Sequence, residues 1–351
     1  MIKKINNFSN HLISPDSLIK DAMQKINELG AGALQSIMYK FLIIADTNNI
    51  LLGTITDGDI RRFLLHGGSI NSSIKEAAML KPRYGIKGKD KENLSLLGSI
   101  SNEISFLPII DKNNKIFDVL VSDAEDKDKK VTVILMAGGF GKRLGKKTIN
   151  TPKPLLNYNG KPIIDYVLDL IKKSYYVSKI IISTHYLSEE VEKHFKSKKL
   201  DIPYTFIRED KPLGTAGCLS LISEMKEEND LLVINGDVIT NLHIDSLIKS
   251  HNLTQNDATI SAAKYSHSIP FGVLKYNNDG EFVGLDEKPD INQYVSAGIY
   301  LLSSKFLSIL LPNEEIDMPE LINRGKEIGF KVGVFAIHEN WSDIGRPEDF
   351  K

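Results

Sequence analysis

The sequence has little of three things that would each place a chain in a particular class of protein. It contains one cysteine, Cys218, in 351 residues, so no internal disulfide can form, as is usual in a reducing compartment. No run of about 18 apolar residues occurs that could span a membrane, and the opening MIKKINNFSN lacks the apolar segment of a signal peptide. We therefore expect a cytoplasmic protein.

An excess of charge of either sign is also absent. The 44 basic and 45 acidic residues leave a formal net charge of −1, which gives no support for nucleic acid or a membrane surface as a partner. Apolar and charged fractions of 42% and 25% are ordinary for a soluble globular protein. The length suffices for two or three domains with sizeable cores.

A charged segment divides the chain. Residues 123–130 are nearly all charged or small and cannot form a core, whereas 131–136 is a continuous apolar run. Such a run is typical of a strand that is buried on both faces of a parallel sheet. The sequence therefore predicts an N-terminal domain over 1–126, a linker near 126–130 and a larger domain over 131–351.

The first domain contains an internal repeat. FLIIADTNNILLGTITDGD starts at Phe41 and FLPIIDKNNKIFDVLVSDAED starts at Phe106. Each copy reads as strand, Asn-Asn turn, strand and acidic turn, and helical patterns at 17–29 and 91–100 precede them. We expect a small α+β domain made of two similar units.

Two such units resemble a tandem cystathionine-beta-synthase (CBS) pair, a module that often binds adenosine nucleotides. The matching motif is GTITDGDIRR, which begins at Gly53. The resemblance implies that Thr56 and Asp59 contact the ribose and phosphates of an adenine nucleotide. The second copy of the repeat departs from this motif, because Asp118 stands in place of the glycine that is Gly53 in the first copy. Two interpretations stay open: a module with one nucleotide site, or a packing or dimerisation module without a ligand.

The second domain alternates strand and helix patterns. Strands are predicted at 131–136, 178–184 and 230–236, and helices at 161–173 and 187–195. This order is typical of a doubly wound α/β fold with a mostly parallel sheet, in which ligands bind at the carboxyl ends of the strands.

The stretch ILMAGGFGKRL, at 134–144, indicates a phosphate-binding loop. A P-loop would need glycine at Phe140 and a hydroxyl residue at Lys147, and a dinucleotide fingerprint would need a third glycine at Leu144. A structural tight turn explains the glycines but leaves the adjacent cations Lys142 and Arg143 unexplained. Both familiar glycine loops are therefore excluded.

GGFGKRL, followed by TPKPLL at 151–156, resembles the signature of the sugar-nucleotidyltransferase family. Further elements follow in the family's order: PLGTAG (212–217), NGD (235–237), PFGV (270–273), EKP (287–289), VSAGIY (295–300) and WSDIG (341–345). The resemblance runs from Val133 to Phe350. It implies an enzyme that joins a nucleoside triphosphate to a sugar-1-phosphate, with Mg²⁺ as cofactor, and releases pyrophosphate.

The resemblance also assigns roles to residues. Gly138, Gly139 and Gly141 let backbone N–H groups approach the triphosphate. Arg143 would stabilise the departing pyrophosphate, and Lys153 the α-phosphate. The other residues implied to bind are, for the nucleotide, Leu135, Glu209, Gly214 and Thr215, and, for the sugar phosphate, Gly272, Glu287, Lys288 and Gly298.

Two aspartates are candidate metal ligands. Asp237 ends a buried strand, where a carboxylate is costly unless it is paired or bound to a metal. Asp343 lies far along the chain, so only the fold could bring the two together. Two carboxylates plus phosphate oxygens are a usual way to hold Mg²⁺. Alternatively, Asp343 caps a helix that begins at DIGRPEDF.

Substrate identity depends on two residues and on the domain order. The carboxylate of Glu209 can accept two hydrogen bonds from guanine, a pair that uracil and thymine do not offer, which favours GTP. Ser296 stands where the family commonly has asparagine, and this leaves the sugar open. A CBS pair ahead of a short nucleotidyltransferase resembles the guanylyltransferases of legionaminic acid pathways, which make GDP-glucosamine.

Alternatives remain. The first is a mannose-1-phosphate guanylyltransferase, or a thymidylyl- or uridylyltransferase. The second is a nucleotide-sensing protein with a degenerate transferase domain, although the presence of Arg143, Lys153, Asp237 and Asp343 argues against it. We also expect a homo-oligomer.

Overall fold

The computed structural model describes residues 2–5, 7–30, 40–100, 105–122, 130–224 and 229–350. Apart from Lys130, the predicted linker near 126–130 lies outside these ranges. No helix within them is both long and apolar enough to cross a bilayer.

In the described part of the N-terminal half, residues 2–122, two small sheets pack with three α-helices. The sheets have the orders β2-β3-β4 and β1-β7-β6-β5. The elements are β1 (Ile2–Lys4), β2 (Leu12–Ile13), α1 (Ile19–Gly30), β3 (Phe41–Ala45), β4 (Leu51–Thr56), α2 (Asp57–Leu65), β5 (Gly85–Ile86), α3 (Asp90–Gly98), β6 (Ser105–Ile110) and β7 (Ile116–Ser122). The helices predicted at 17–29 and 91–100 are thus confirmed with slightly shifted ends.

The hairpins β3–β4 and β6–β7 make matching contacts with each other. Each turn contains an asparagine in the left-handed region, Asn49 with φ 62° and Asn114 with φ 60°, a conformation that asparagine tolerates better than most residues. Leu51 N donates to Asn114 O at 3.1 Å, and Ile116 N donates to Asn49 O at 2.9 Å. Because each hydrogen bond has its counterpart in the other copy, the predicted repeat of strand, turn and strand is confirmed.

A seven-stranded sheet organises the C-terminal half, residues 130–350. The elements are β8 (Val131–Met136), β9 (Asn157–Tyr158), β10 (Lys161–Pro162), α4 (Ile163–Lys172), β11 (Val177–Thr184), α5 (Ser188–Lys196), β12 (Tyr204–Arg208), α6 (Gly214–Glu224), β13 (Asp230–Asn235), β14 (Val238–Thr240), α7 (Ile244–Thr254), β15 (Ala258–Ser268), β16 (Gly272–Tyr276), β17 (Phe282–Glu287), β18 (Asp290–Leu302), α8 (Met318–Glu327), β19 (Val332–Ile337) and β20 (Trp341–Asp343).

The order of the large sheet is β12-β11-β8-β13-β18-β15-β19. Strand β18 is antiparallel to both neighbours, and every other adjacent pair is parallel. Helices α4, α5 and α7 pack on one face of the sheet, and α6 and α8 on the other. Val133 and Leu135 of β8 face the first core, whereas Ile134 faces the second. The predicted doubly wound, mostly parallel α/β fold is confirmed.

The topology places three chain turns at one edge of the sheet. Strand β8 lies between β11 and β13, with Met136 opposite Ser183 on one side and Asn235 on the other. All three strands are parallel, so the segments that follow their carboxyl ends emerge together. This edge carries the glycine loop and the NGD segment.

Candidate active site

A cavity of about 270 Å³ opens at the carboxyl ends of β8, β11 and β13. Many of the residues that the sequence singled out line it. The lining residues are Met136, Gly138, Gly139, Phe140, Lys153, Pro154, His185, Glu209, Pro212, Gly214, Thr215, Asn235, Gly236 and Asp237.

The glycine loop leaves bare backbone against this cavity. A Cβ at Gly138 would lie 3.1 Å from the backbone N of His185, so a side chain there would crowd the wall. Gly141 has φ 62°, and a Cβ there would meet Thr148 Cγ2 at 2.7 Å. At Gly139 nothing lies within 4 Å. Gly138 and Gly141 are therefore needed because a side chain would clash with neighbouring residues, whereas Gly139 leaves open space beside the backbone.

Lys153, Asp237 and Asp343 form a charged cluster at the mouth of the cavity. Lys153 Nζ donates to Asp237 Oδ2 at 2.5 Å and lies 3.9 Å from Asp343 Oδ1. Strands β14 and β20 pair with Val238 opposite Asp343, and Ile344 N donates to Asp237 O at 3.1 Å. This short sheet brings together two aspartates that are far apart in the sequence.

The electrostatics of the cluster suit a divalent cation. Burial and the negative charge of Asp237 raise the pKa of Asp343, and the ammonium of Lys153 opposes them. One lysine does not offset two carboxylates. Among the residues that the structure describes, no group of three or more His, Cys, Asp or Glu side chains forms a metal site. A cation held by Asp237 and Asp343 would therefore need further oxygens from a bound phosphate.

Glu209 is a buried carboxylate in the cavity wall. Its Oε1 accepts from Ser183 Oγ at 2.6 Å, and its Oε2 accepts from Leu213 N at 3.1 Å. Each carboxylate oxygen can accept more than one hydrogen bond. The side chain is therefore held in one orientation and keeps the capacity to accept from a ligand.

The segment after Glu209 is anchored to the start of α8. Gly214 has φ 81°, and a Cβ there would lie 2.6 Å from Ile316 O. Thr215 N and Oγ1 donate to Asp317 Oδ1 at 2.9 and 3.1 Å, and Thr215 Oγ1 accepts from Met318 N at 2.8 Å. These contacts fix the shape of the cavity wall.

Comparison with known proteins places the C-terminal half in a family. Residues 132–351 match the family described as nucleotidyl transferase. The chain belongs to the nucleotidyl transferase family. Mannose-1-phosphate guanyltransferase beta-A of Xenopus laevis is 30% identical over 228 residues, and the mannose-1-phosphate guanylyltransferase catalytic subunit beta of Danio rerio is 31% identical over 228 residues.

Each of these alignments covers 62% of this chain and 62% of the relative, so the chain spans less than two thirds of the length of those proteins. Among solved structures, HddC from Yersinia pseudotuberculosis complexed with GMP-PN aligns with 63% of this chain and 96% of its own. The sequence identity is 25% and the TM-score is 0.48.

Three predicted nucleotide contacts of the nucleotidyl transferase half lie outside the cavity lining: Leu135, Gly141 and Arg143. Leu135 is fully buried in the core, and its neighbour Met136 lines the cavity instead. Arg143 is exposed on the 3₁₀ segment Lys142–Thr148 that follows the glycine loop. Its role towards the pyrophosphate stays a prediction.

The predicted sugar-phosphate residues are divided between two places. Gly272 and Glu287 lie opposite each other in the β16–β17 hairpin, an exposed two-stranded arm, and Lys288 follows with φ 47°. Gly298, with φ 70°, lies against Asn235 of the cavity wall, whose Nδ2 is 2.6 Å from where a Cβ would stand. The arm residues are not part of the cavity lining.

Phe140 and His185 line the nucleotidyl transferase cavity but were not singled out from the sequence. His185 Nδ1 lies 2.8 Å from Glu209 O; a carbonyl only accepts, so this nitrogen is a donor. The Phe140 and His185 rings meet edge to face, with centroids 5.4 Å apart. His185 directly follows β11, so its position at a strand's carboxyl end was the available signal.

A second cavity, of about 510 Å³, lies beside α2 in the N-terminal half. Thr56 and Asp59 line it and form a capping box, with Thr56 as the N-cap of that helix. Thr56 N and Oγ1 donate to Asp59 Oδ2, at 2.8 and 2.7 Å, and Asp59 N donates to Thr56 Oγ1 at 3.1 Å. Arg62, Arg83 and, from α7, Thr254 also line this cavity. The structure thus places both predicted CBS contacts at one cavity.

Proposed function

We propose that this chain is a sugar-1-phosphate guanylyltransferase, which converts GTP and a sugar-1-phosphate into a GDP-sugar and pyrophosphate. The observation that carries the proposal is Lys153 next to Asp237 and Asp343, at the mouth of a cavity walled by the glycine loop. The buried carboxylate of Glu209 supports guanine as the base. The curated relatives named above, both mannose-1-phosphate guanylyltransferases, support the same nucleotide.

In this reaction an oxygen of the sugar phosphate forms a bond to the α-phosphorus of GTP. The bond from that phosphorus to the bridging oxygen of the β-phosphate breaks, and pyrophosphate leaves with the electron pair. Both reactants are anions, so charge repulsion and misalignment are the main barriers that a protein can lower. Lys153 would neutralise charge at the α-phosphate, and Arg143 would do so at the departing pyrophosphate.

Asp237 and Asp343 would hold Mg²⁺, which when bound supplies positive charge to the phosphates. Two features of the chain keep these carboxylates in place. The β14–β20 pairing and the Ile344 N bond to Asp237 O fix the backbone. The ammonium of Lys153 orients the side chain of Asp237.

For the sugar, glucosamine-1-phosphate is our first candidate, since an N-terminal CBS pair resembles the arrangement in legionaminic acid pathways. Mannose-1-phosphate is the alternative that the curated relatives favour. Ser296 Oγ lies 2.6 Å from Tyr300 OH, and a hydroxyl in place of the common asparagine alters the polar groups beside Gly298.

The test is pyrophosphate release from GTP, ATP, UTP and dTTP, each combined with glucosamine-, mannose- and glucose-1-phosphate. We expect turnover with GTP to exceed turnover with the other triphosphates. A preference for UTP or dTTP would refute the guanylyltransferase. Absence of turnover with every pair, together with retained GTP binding, would favour a nucleotide sensor with a degenerate transferase site.

We further propose that residues 1–126 are a CBS pair that binds one adenine nucleotide in the 510 Å³ cavity. The matched hairpins support the pair, and Arg62 and Arg83 offer cations for phosphates. Calorimetric titration of the full-length chain with AMP, ADP and ATP, and of Arg83→Ala, tests the site. Asp59→Ala is a less selective variant, because it also removes the side-chain half of the capping box that accepts from Thr56 N and Oγ1. No binding by any of the three would favour a packing module.

The expected homo-oligomer is a separate prediction. Light scattering coupled to size exclusion measures it directly, and a mass near 39.2 kDa would contradict it.

A further inference from the structure

Helix α2 has one face at the N-terminal cavity and another against the C-terminal half. Asp59 and Arg62 line the cavity. Asp57 and Arg61, one helical turn apart, are only 4% and 3% exposed. Buried charges are costly unless they are paired, so their partners explain why this face is charged.

Arg61 uses all five of its N–H groups. Nε donates to Asp57 Oδ2 at 2.7 Å, and Nη2 donates to Asp57 Oδ1 at 3.2 Å and to Glu339 Oε1 at 2.9 Å. Nη1 donates to Glu339 Oε2 at 3.2 Å and to Ala336 O at 2.5 Å. The guanidinium carbon also lies 4.3 Å from the ring centroid of Phe335. A lysine could not reproduce this planar set of contacts.

Glu339 belongs to the C-terminal half but depends on this arginine. Burial raises the pKa of Glu339, but the charge and hydrogen bonds of Arg61, together with the charge of His338, outweigh burial and lower the pKa to about 2. Asp57 has a second tie to the same segment, since His338 Nε2 lies 2.9 Å from Asp57 Oδ1. The N-terminal half therefore supplies the charge that makes an ionised Glu339 tolerable in the interior.

The segment held by Arg61 leads directly to the active site. Glu339 lies two residues before β20, and Asp343 ends that strand. On the way, Asn241 N donates to Asn340 O at 3.3 Å, and Trp341 Nε1 donates to Ala297 O at 2.9 Å. The segment is thus fixed by Arg61 at one end and contacts the Lys153 cluster at the other.

We propose that Arg61 is a positioning residue for the active site. By clamping Ala336 and Glu339, it sets the position of β20 and so of the Asp343 carboxylate relative to Asp237. The inference rests on the proposed function, because Asp343 takes its metal-binding role from it. Arg61 contacts neither substrate nor metal and acts only through this segment.

The test compares Arg61→Lys and Glu339→Gln with a matched control, Arg324→Lys, in the full-length chain. Arg324 also holds both oxygens of a glutamate, donating to Glu314 Oε2 at 2.9 Å and Oε1 at 2.7 Å. The partners of its guanidinium among the described residues are Ile309, Glu314 and Glu320, which lie outside β20. GTP binding is measured by calorimetry in Mg²⁺ and in EDTA. Pyrophosphate release is then measured against Mg²⁺ concentration.

We expect the gain in GTP affinity that Mg²⁺ provides to fall by at least about tenfold in both variants, because an ångström of misplacement can cost about 10²-fold. The half-saturating Mg²⁺ concentration should rise correspondingly, and Arg324→Lys should match the wild type. GTP binding in EDTA should change less than the Mg²⁺-dependent part. A variant with a generally loosened structure would instead lose GTP affinity in EDTA and the Mg²⁺-dependent gain to a similar extent.

Folded Arg61→Lys and Glu339→Gln chains with wild-type Mg²⁺ dependence would overturn the inference. Glu339→Gln keeps the side-chain shape, so it decides the question if Arg61→Lys does not fold. A wild type without turnover on any substrate pair defeats the proposed function, and the calorimetry still decides the role of Arg61. If the wild type does not bind GTP, both proposals fail.

Discussion

The ammonium of Lys153 lies 2.5 Å from Asp237 and 3.9 Å from Asp343, so one cation stands beside two carboxylates, one in the turn before β14 and one at the end of β20. Loss of any one of these three side chains changes the electrostatic interactions of the other two. This arrangement makes the contribution of each aspartate measurable without dismantling the fold.

Asp237→Asn and Asp343→Asn should each lower Mg²⁺-dependent turnover by at least about 10²-fold, because one metal ligand is lost. The thermal unfolding temperature of Asp343→Asn should stay the same or rise, since burial and the neighbouring carboxylate of Asp237 raise the pKa of Asp343. Pyrophosphate release and calorimetry check the two halves of this prediction. Asp169→Asn, in a half-exposed pair with Lys161, is the control. Near-wild-type turnover in either folded variant would remove the metal assignment.

Arg143→Ala should reduce kcat by about 10²-fold, as loss of one transition-state donor often does. The side chain of Arg143 is exposed in the unliganded structure, so its removal should leave the fold unaffected. Lys146→Ala, exposed on the same 3₁₀ segment, separates a specific role from a loss of general positive charge. A raised KM for GTP at unchanged kcat would make Arg143 a binding residue only.

Glu209→Gln should lower the ratio of kcat/KM for GTP to that for UTP by at least about tenfold. The amide keeps the shape of the side chain but replaces an acceptor oxygen with a donor, which guanine N1–H and the 2-amino group cannot use. Its neighbour Asp210 is exposed, so Asp210→Asn controls for lost charge. An unchanged ratio would show that another group selects the base.

Acid should destabilise the protein through Glu339. Its pKa is lowered to about 2 in the folded chain, below its ordinary value near 4.3. The stabilisation is therefore present at neutral pH and is lost as the pH falls from about 5 towards 2. It amounts to roughly 3 kcal/mol. Urea unfolding followed by circular dichroism from pH 7 to 3 should show a shallower decline in Glu339→Gln than in the wild type or in Glu189→Gln, an exposed control.

Local patterns were sufficient to predict the sheet and the glycine loop. The apolar run at β8 indicated a strand buried on both faces, and it lies in both cores. The GGFGKRL stretch indicated a backbone open to a ligand, and Gly139 has open space around it. In each case the information lies within a few consecutive residues, because strand burial and backbone freedom are local properties.

Features that depend on how separate elements meet were harder to predict. The spacing of Asp237 and Asp343 left their meeting to the fold, and the β14–β20 pairing accounts for it. Glu287 was assigned to the sugar site by motif order, but no local pattern tells where an exposed hairpin points. GTITDGDIRR indicated a ligand contact, whereas the buried tie of Arg61 to Glu339 requires knowledge of a partner far along the chain.

The buried ion pair between Arg61 and Glu339 limits how the sequences of the two halves can change. Arg61 is the cation between two buried carboxylates, Asp57 and Glu339, so a change at position 61 alone leaves both of them without it, at a cost of about 3–5 kcal/mol. An N-terminal half transplanted from another chain would be tolerated only if it brought a cation to this site, or if residue 339 changed with it. We therefore expect positions 61 and 339 to change together, both among related sequences and in engineered chains.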